Sequence, residues 1–198
     1  MPDAAHEDFL ARYLAEGRWE TVREAITACG IHQWIRDMDR PVRGIEIGVK
    51  EGMNAIAFLE CCPNITEVVG IDPYEPYDDL GYHWSREEQD TIHGYLLKNI
   101  ALRQQDHRFT LLRARSQEAA GLLPDDAFDF VYIDGVHTRE AATADLEAYW
   151  PKLTGDGIMS GHDWDYVSQA VLQWRSANDI PGDITHMIHG TWAFRKSK

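Results

Sequence analysis

Three short apolar runs in this sequence lead directly into glycines, carboxylates or histidines, which are residue types that bind ligands and transfer protons. The run "GIEIG" contains Glu46 and ends at Gly48, and "EVVGID" ends at Asp72. The run "FDFVYID" ends at Asp134, and His137 follows three residues later. An imidazole titrates near neutrality and can accept the proton of a hydroxyl group. We therefore expect a ligand-binding site with acid–base chemistry, built from residues that are far apart in the sequence.

The glycines and the acidic residue of the first two runs indicate a nucleoside ligand. Gly48 would allow a tight turn close to a ligand, and Gly52 would leave the start of the next helix free of a side chain. Asp72 ends the second run, where an acidic residue can accept hydrogen bonds from both hydroxyls of a ribose. The glycine spacing is G-x-x-x-G, which differs from the G-x-G-x-x-G of a dinucleotide site. The pattern thus favours a nucleoside over a pyrophosphate.

These residues belong to a chain in which apolar runs alternate with segments of helical periodicity. Five buried strands are predicted at "GIEIG", "EVVGID", "FTLLRA", "FDFVYID" and "GIMSGHD". Helices are predicted between them at about 53–61, 86–105, 116–122 and 138–150. Strands that alternate with helices pair in parallel through right-handed crossovers, and ligands then bind beyond the carboxyl ends of the strands. We therefore expect an α/β fold with a mostly parallel sheet and helices on both faces.

The two ends of the sequence depart from this alternation. Apolar residues recur at helical spacing from about 9 to 38, which predicts one or two helices before the first strand. The stretch "DITHMIHGTWAFRK" contains two strand-like runs around His189 and Gly190 and predicts an antiparallel hairpin at the edge of the sheet. We expect one domain over residues 1–198, with an N-terminal helical cap at 1–40 and a core at 41–198.

Composition narrows the classes of partner. The chain has 198 residues, of which 44% are hydrophobic, and a formal net charge of -14. That charge would repel a phosphate backbone, so nucleic acid is not an expected partner. Three cysteines do not form a disulfide framework, and no signal peptide or membrane-spanning run is recognisable. We expect a cytoplasmic protein without membrane contact, which acts on a small molecule and which can also form a homo-oligomer.

Three segments together resemble a known family. "EIGVKEG", "VVGIDPY" and "FDFVYIDGVHTREAATADLEAYWPKLTGDGIMSGHDW" are similar to the class I S-adenosylmethionine-dependent methyltransferases. The resemblance is to the branch whose fourth strand ends in Ile-Asp-Gly-x-His, and it extends from about Arg43 to Arg195. It implies a Rossmann-like fold, S-adenosylmethionine as the cofactor, and O-methylation of a small-molecule or sugar hydroxyl.

The resemblance also implies roles for individual residues of the cofactor site. Glu46, Gly48 and Gly52 would surround the methionine end of the cofactor, and Asp72 would bind its ribose. Ser116, which follows "LLRAR", occupies the place where the family usually contacts the adenine. A serine at the start of a helix can instead be an N-cap, so both roles stay open.

Two arrangements of the catalytic groups are compatible with the resemblance. Some relatives hold a divalent metal with acidic residues that here correspond to Asp134, His162 and Asp163. Magnesium prefers oxygen ligands, so the imidazole would favour manganese, iron or zinc. With a metal, Asp134 is a ligand; without one, it orients the acceptor beside the methyl donor, and His137 or His162 accepts the proton. Asp134 in a turn and His137 at a helix start could also have structural roles only.

Two other functions stay open at this point. Asp72 would serve an NAD-dependent oxidoreductase equally well, although the glycine pattern differs from that of such enzymes. The chain could also be a methyltransferase-fold interaction module without catalysis. The segment 74–90, rich in aromatic and acidic residues, could be either a lid over the cofactor or a surface loop.

Overall fold

The computed structural model describes residues 17–27 and 30–197, in which strands and helices alternate. The helices are α1 Trp19–Thr27, α2 Ile31–Arg36, α3 Met53–Cys61, α4 Arg86–Leu102, α5 Ser116–Ala120, α6 Arg139–Tyr149 and α7 Trp164–Ala177. The strands are β1 Val42–Ile47, β2 Ile65–Ile71, β3 Tyr77–Asp79, β4 Tyr82–Trp84, β5 Phe109–Leu112, β6 Phe128–Ile133, β7 Leu153–Gly161, β8 Thr185–His186 and β9 Trp192–Arg195. Single 3-10 turns lie at Trp150–Lys152 and Ile188–Gly190.

Seven strands form one sheet in the order β5-β2-β1-β6-β7-β9-β8. The first five strands in that order are parallel, whereas β9 runs antiparallel to β7 and β8 antiparallel to β9. The chain builds outwards from β1 to β2 and β5, then crosses back to add β6 and β7 on the other side of β1. Ligands bind at such a reversal of strand order, beyond the carboxyl ends of the strands. The predicted α/β class with a Rossmann-like sheet is confirmed.

Helices bury both faces of this sheet. All six residues of β6 are buried, as is typical of a parallel strand covered on both sides. Leu146 and Trp174, from α6 and α7, pack on one face, and Phe58 of α3 packs against Phe130 on the other. A Cβ on Gly44 would lie 1.9 Å from the Phe130 ring, so only a glycine fits there. The sheet is therefore a rigid base for the residues beyond its edge.

Several element boundaries differ from the sequence prediction. Helices α4 and α5 end a few residues earlier than predicted, at Leu102 and Ala120. The helices predicted before the first strand, at about 9–38, correspond to α1 and α2. Residues 9–16 and 28–29 of that range lie outside the described residues. The C-terminal hairpin is confirmed, although β8 has only two residues and a 3-10 turn joins it to β9. The division into a cap at 1–40 and a core at 41–198 stays a prediction.

The segment between β2 and α4 forms a small second sheet of two strands. Tyr77 of β3 pairs with Trp84 of β4, and Asp79 pairs with Tyr82. The turn residues Leu80 and Gly81 both have positive φ angles, of 48° and 81°. A type I′ turn requires this geometry and matches the twist of the two strands. The segment 74–90 is thus an ordered hairpin followed by a helix.

Among the described helices, none is both long enough and apolar enough to cross a membrane.

Candidate active site

The carboxyl ends of four strands meet at one edge of the sheet and bring the predicted site residues together. Glu46 lies in β1, Asp72 directly follows β2, and Asp134 directly follows β6. His162 and Asp163 follow β7. Because these strands are parallel, their ends lie at the same edge, and residues distant in the sequence become neighbours.

Two glycines shape the turn between β1 and α3. Gly48 has a φ of 81°, and a Cβ on it would lie 2.1 Å from the carbonyl oxygen of Asp134. Gly52 has a φ of 83°, and a Cβ on it would lie 2.5 Å from Cδ1 of Leu96. Gly52 is also the N-cap of α3 and offers no side-chain cap to that helix. The turn therefore packs directly on the end of β6, and the N-cap position of α3 has no side chain to cap the helix.

Glu46 is the most deeply buried acidic group at this edge. Its side chain is fully buried, and neither carboxylate oxygen makes a well-formed hydrogen bond within the described structure. Burial, followed by the nearby charge of Asp134, raises the pKa of Glu46 well above its usual value, although the Asn54 amide partly opposes this. A buried polar group without a partner is costly. Glu46 is thus available to a ligand that donates hydrogen bonds.

Asp72 ties the end of β2 to the turn after β1. Its Oδ2 accepts hydrogen bonds from the backbone N–H groups of Val49 and Lys50, both at 3.1 Å, and its Oδ1 accepts one from Tyr74 at 2.9 Å. Burial raises the pKa of Asp72, and these three N–H groups oppose that rise. An ionised carboxylate has about four acceptor sites, so Asp72 keeps capacity for a further donor.

Asp134 contacts the start of α3 and lies near the two histidines of the site. The amide of Asn54, in the first turn of α3, donates a hydrogen bond to Oδ2 of Asp134 at 3.1 Å. Burial raises the pKa of Asp134 to about 6, while the nearby imidazoles of His162 and His137 oppose the rise. A carboxylate with this pKa is largely ionised at neutral pH and can accept a proton.

His137 is held between two carboxylates. Its Nδ1 lies 2.6 Å from Oδ2 of Asp79, and its Nε2 lies 2.7 Å from Oδ2 of Asp163. The hydrogen bond to Asp163, and then that to Asp79, raise the pKa of His137 to about 9, against the opposing effect of burial. In this arrangement the ring is protonated at neutral pH and acts as a donor. The role of His137 as a proton acceptor stays a prediction. A ring that is already protonated at neutral pH is poorly suited to accept a further proton.

Three side chains at the same edge could hold a metal ion. Ligand atoms of Asp134, His162 and Asp163 all lie within 4.8 Å of one another. Nδ1 of His162 is 3.0 Å from Oδ2 of Asp163, and this hydrogen bond raises the pKa of His162. Hydrogen bonds from His137 and His162 lower the pKa of Asp163. Two carboxylates and one imidazole fit a cation such as manganese or iron better than magnesium.

A small pocket lies beside these groups. Its cavity volume is only about 10 Å³. Polar groups line one side and the apolar core of α6 and α7 lines the other; the lining residues include Asp134, His137, His162, Leu146, Val171 and Trp192. A cavity of this size holds about one water molecule, so it adjoins the candidate site without being large enough for an acceptor.

Ser116 lies outside this cluster, beside the C-terminal half of α6. It is the first residue of α5, and Arg115 is the N-cap, so the capping role considered for Ser116 is not the one observed. The hydroxyl of Ser116 donates to Oδ1 of Asp145, and the Gln117 amide donates to the same oxygen at 2.9 Å. Burial raises the pKa of Asp145 to about 6. The predicted contact of Ser116 with an adenine stays a prediction.

Three polar residues at or near the site were not predicted from the sequence. Asn54, Asp79 and Asp145 each contact a predicted site residue. Asn54 follows Gly52 closely and could have been inferred as part of the same turn. Asp79 is one of several acidic residues in "DPYEPYDDLG", and nothing in that pattern distinguishes it.

Comparisons with known proteins give the same picture of the fold. The curated protein y4gI of Sinorhizobium fredii, named as uncharacterized, is 25% identical over 146 residues, or 72% of this chain. The chain spans only about 15% of the length of that relative. The structure of the O-methyltransferase NovP matches 91% of this chain and 80% of its own, with a TM-score of 0.63 and 16% identity. A Staphylococcus aureus protein provisionally named caffeoyl-CoA O-methyltransferase matches 99% of this chain and 100% of its own, also with a TM-score of 0.63 and 16% identity.

At such low identity the structural matches establish the fold, and the family assignment comes from the sequence. The family model for the methyltransferase domain matches residues 45–164, which is more than half of the chain and includes the ends of β1, β2, β6 and β7. The chain therefore belongs to the methyltransferase domain family, in its class I, Rossmann-like form.

Proposed function

We propose that this protein is an S-adenosylmethionine-dependent methyltransferase that transfers the methyl group to a hydroxyl of a small-molecule or sugar acceptor. One observation carries the proposal. The two residues expected to bind the cofactor, Glu46 and Asp72, lie at the same edge of the sheet as an acid–base cluster of Asp134, His137 and His162. Family membership supports methyl transfer as the reaction type. The arrangement of these residues supports a cofactor at the ends of β1 and β2 and an acceptor beside Asp134 and the histidines.

The cofactor would lie across the ends of β1 and β2. Glu46, buried and without a well-formed hydrogen bond, would accept hydrogen bonds from the ammonium group of the methionine part. The remaining acceptor capacity of Asp72 would bind the ribose hydroxyls. The backbone of Gly48 approaches closely because no side chain intervenes. These contacts would place the sulfonium methyl next to Asp134.

The protein's part in the reaction is to position the acceptor and remove its proton. The sulfonium methyl group is already activated, so alignment of the hydroxyl oxygen with the methyl carbon and the sulfur supplies most of the rate. Asp134, with a pKa of about 6, is matched to accept the hydroxyl proton near neutral pH. His137, protonated between its carboxylates, and His162 would orient the acceptor oxygen by donating hydrogen bonds. A cation held by Asp134, His162 and Asp163 would supply Lewis-acid chemistry at the same oxygen.

The charges around the pocket restrict the acceptor. The three carboxylates of Asp79, Asp134 and Asp163 outnumber the protonated ring of His137 between them, and the chain as a whole has a net charge of -14. Like charges disfavour an anionic acceptor at short range. A neutral or cationic compound with a hydroxyl group is therefore the acceptor we propose, in line with the O-methyltransferase named among the structural relatives.

Calorimetric titration with S-adenosylhomocysteine and with NAD tests the cofactor assignment. We expect S-adenosylhomocysteine to bind and NAD not to bind, because the turn after β1 lacks the dinucleotide glycine pattern. Repeating the titration with and without Mn²⁺ tests the metal site, and methyl transfer from labelled cofactor to a panel of neutral hydroxyl compounds tests the reaction. Binding of NAD alone would favour the oxidoreductase. Binding of neither compound would leave only the interaction module.

A pH–rate profile separates the candidate bases once an acceptor is found. If Asp134 accepts the proton, the wild-type rate should fall below about pH 6, and Asp134→Asn should remove most of the activity. His137→Gln should retain an acidic limb at a reduced rate, shifted to higher pH because a positive charge that lowers the pKa of Asp134 is lost. A profile in which His137→Gln alone abolishes that limb would reassign the base to His137.

A further inference from the structure

One carboxylate from outside the central sheet reaches the candidate site. Asp79 is the last residue of β3, in a hairpin at the surface, yet its side chain is only 8% exposed. The side chain of its neighbour Asp78 is 85% exposed and contacts His83, which is also exposed. Aspartates are rarely buried without a partner, because loss of hydration is costly. Of two adjacent aspartates on one short strand, Asp79 alone is therefore directed into the protein.

Asp79 contacts His137 at two points. Its Oδ2 lies 2.6 Å from Nδ1 of the ring, and its Oδ1 accepts a hydrogen bond from the backbone N–H of the same residue at 3.3 Å. The two contacts restrain both the rotation of the imidazole and the backbone that carries it. With Nδ1 facing a carboxylate, Nε2 of His137 is left to face Asp163 at 2.7 Å.

Asp163 connects His137 to His162 in the centre of the site. It is the N-cap of α7 with a φ of 52°, but its side chain does not cap the helix. Oδ2 of Asp163 instead lies within hydrogen-bonding distance of both His137 and His162. A continuous chain of hydrogen bonds thus runs from Asp79 through His137 and Asp163 to His162.

The hairpin that carries Asp79 is itself held in place. The Tyr77 and Trp84 rings stack with their centroids 6.0 Å apart, and Nζ of Lys50 lies 4.7 Å from the centre of the Trp84 ring. Ser85, directly after β4, forms a capping box with Glu88 at the start of α4. The hairpin therefore presents Asp79 from an ordered support, as the positioning of a catalytic group requires.

We infer that Asp79 is a positioning residue of this site, which fixes the His137 ring and, through it, the Asp163 carboxylate on the acceptor side. The inference rests on the proposed function for its catalytic meaning, whereas the geometry that it describes can be measured without any ligand. Residues that orient ligating side chains in this way change affinity or activity by about 10- to 100-fold.

The test compares three variants of the full-length chain. Asp79→Ala removes both contacts to His137, Asp79→Asn keeps an oxygen that can accept one of them, and Asp78→Ala is the matched control on the same strand. Imidazole N–H resonances are recorded on nitrogen-15-labelled protein, and the resonance of His137 is identified by its loss in His137→Gln. Mn²⁺ binding and S-adenosylhomocysteine binding are then measured by calorimetry.

We expect the slowly exchanging Nδ1–H resonance of His137 to be lost in Asp79→Ala and kept in Asp79→Asn and Asp78→Ala. Mn²⁺ binding should weaken by about 10- to 100-fold in Asp79→Ala only, while S-adenosylhomocysteine binding stays within about twofold of the wild type. Persistence of the Nδ1–H resonance of His137 in Asp79→Ala would overturn the inference, whereas the Nε2–H that faces Asp163 is not diagnostic. Failure of the wild type to bind S-adenosylhomocysteine would refute the proposed function instead, and the resonance would still decide the role of Asp79.

Discussion

A buried histidine on the face of the sheet covered by α2 and α3 should make the stability of this protein depend on pH. The His32 side chain is 1% exposed, and neither ring nitrogen has a hydrogen-bond partner within the described structure. Its ring stacks on Phe58 with the centroids 4.6 Å apart. Burial, assisted by the nearby charge of Arg36, lowers the pKa of His32 from 6.5 to about 4. The folded protein therefore holds this ring neutral where an unfolded chain would protonate it.

The sign and size of the effect follow from that difference. Above pH 6.5 the ring is neutral in both states, and His32 contributes nothing to the pH dependence. Between pH 6.5 and about 4 only the unfolded state binds the proton, so the free energy of unfolding falls as the pH falls. Each pH unit corresponds to about 1.4 kcal/mol, which gives a loss of about 2 kcal/mol at pH 5 and about 3 kcal/mol at pH 4.

Urea unfolding at several pH values between 7.5 and 4.5 measures this contribution. Other acidic groups titrate in the same range, so the informative quantity is the difference between the wild type and His32→Leu. The two free energies of unfolding should change relative to each other by about 2 kcal/mol between pH 7.5 and pH 5. His107→Leu, at an exposed position, controls for loss of a histidine as such. Parallel curves for the wild type and His32→Leu would refute the assignment.

The other predictions concern the candidate site. Gly48→Ala should lower the free energy of unfolding by about 3 kcal/mol, because the new Cβ would meet the Asp134 carbonyl oxygen at a positive φ. Gly81→Ala, at the same φ of 81° with no atom within 4 Å, should cost only about 1 kcal/mol; equal losses in urea unfolding would exclude the close approach as the reason. Asp72→Asn should weaken S-adenosylhomocysteine binding at least about tenfold by calorimetry, because a charged acceptor is lost, and unchanged affinity would contradict the ribose contact. Asp145→Ala should destabilise the protein by about 1–3 kcal/mol, because two donors from α5 lose their acceptor, whereas Asp145→Asn should largely restore stability; no difference between the two variants would show that those hydrogen bonds are unimportant.

Much of the fold could be predicted because its signals are local and periodic. Continuous apolar runs such as that of β6 are characteristic of parallel strands, and the glycines after β1 reflect a turn that few other residues can adopt. Once the strands are taken as parallel, Glu46, Asp72 and Asp134 must share one edge of the sheet. The confirmed part of the prediction thus depends on hydrophobic period and on the geometry of a parallel sheet.

The prediction was less complete where contacts join surface segments to the core. The sequence of segment 74–90 is compatible with either a lid or a surface loop, because its two short strands have no strong apolar alternation. The position of Ser116 at a helix start is also typical of an N-cap, but in the structure its hydroxyl donates a hydrogen bond to Asp145 of another helix. Local pattern carries no information on which of several acidic residues will find a partner far away in the sequence.

The sequence alone therefore determined the α/β architecture, the family, and the edge at which the glycines and carboxylates gather, because periodicity and strand direction are properties of short stretches. Only the tertiary structure decided the protonation of the groups at that edge. His137 is held as a cation because Asp79 and Asp163 approach it from two different elements, and Asp134 has a raised pKa because packing removes it from water. Burial and charge at a site are sums over all neighbours in space, so they arise only when the whole chain has folded.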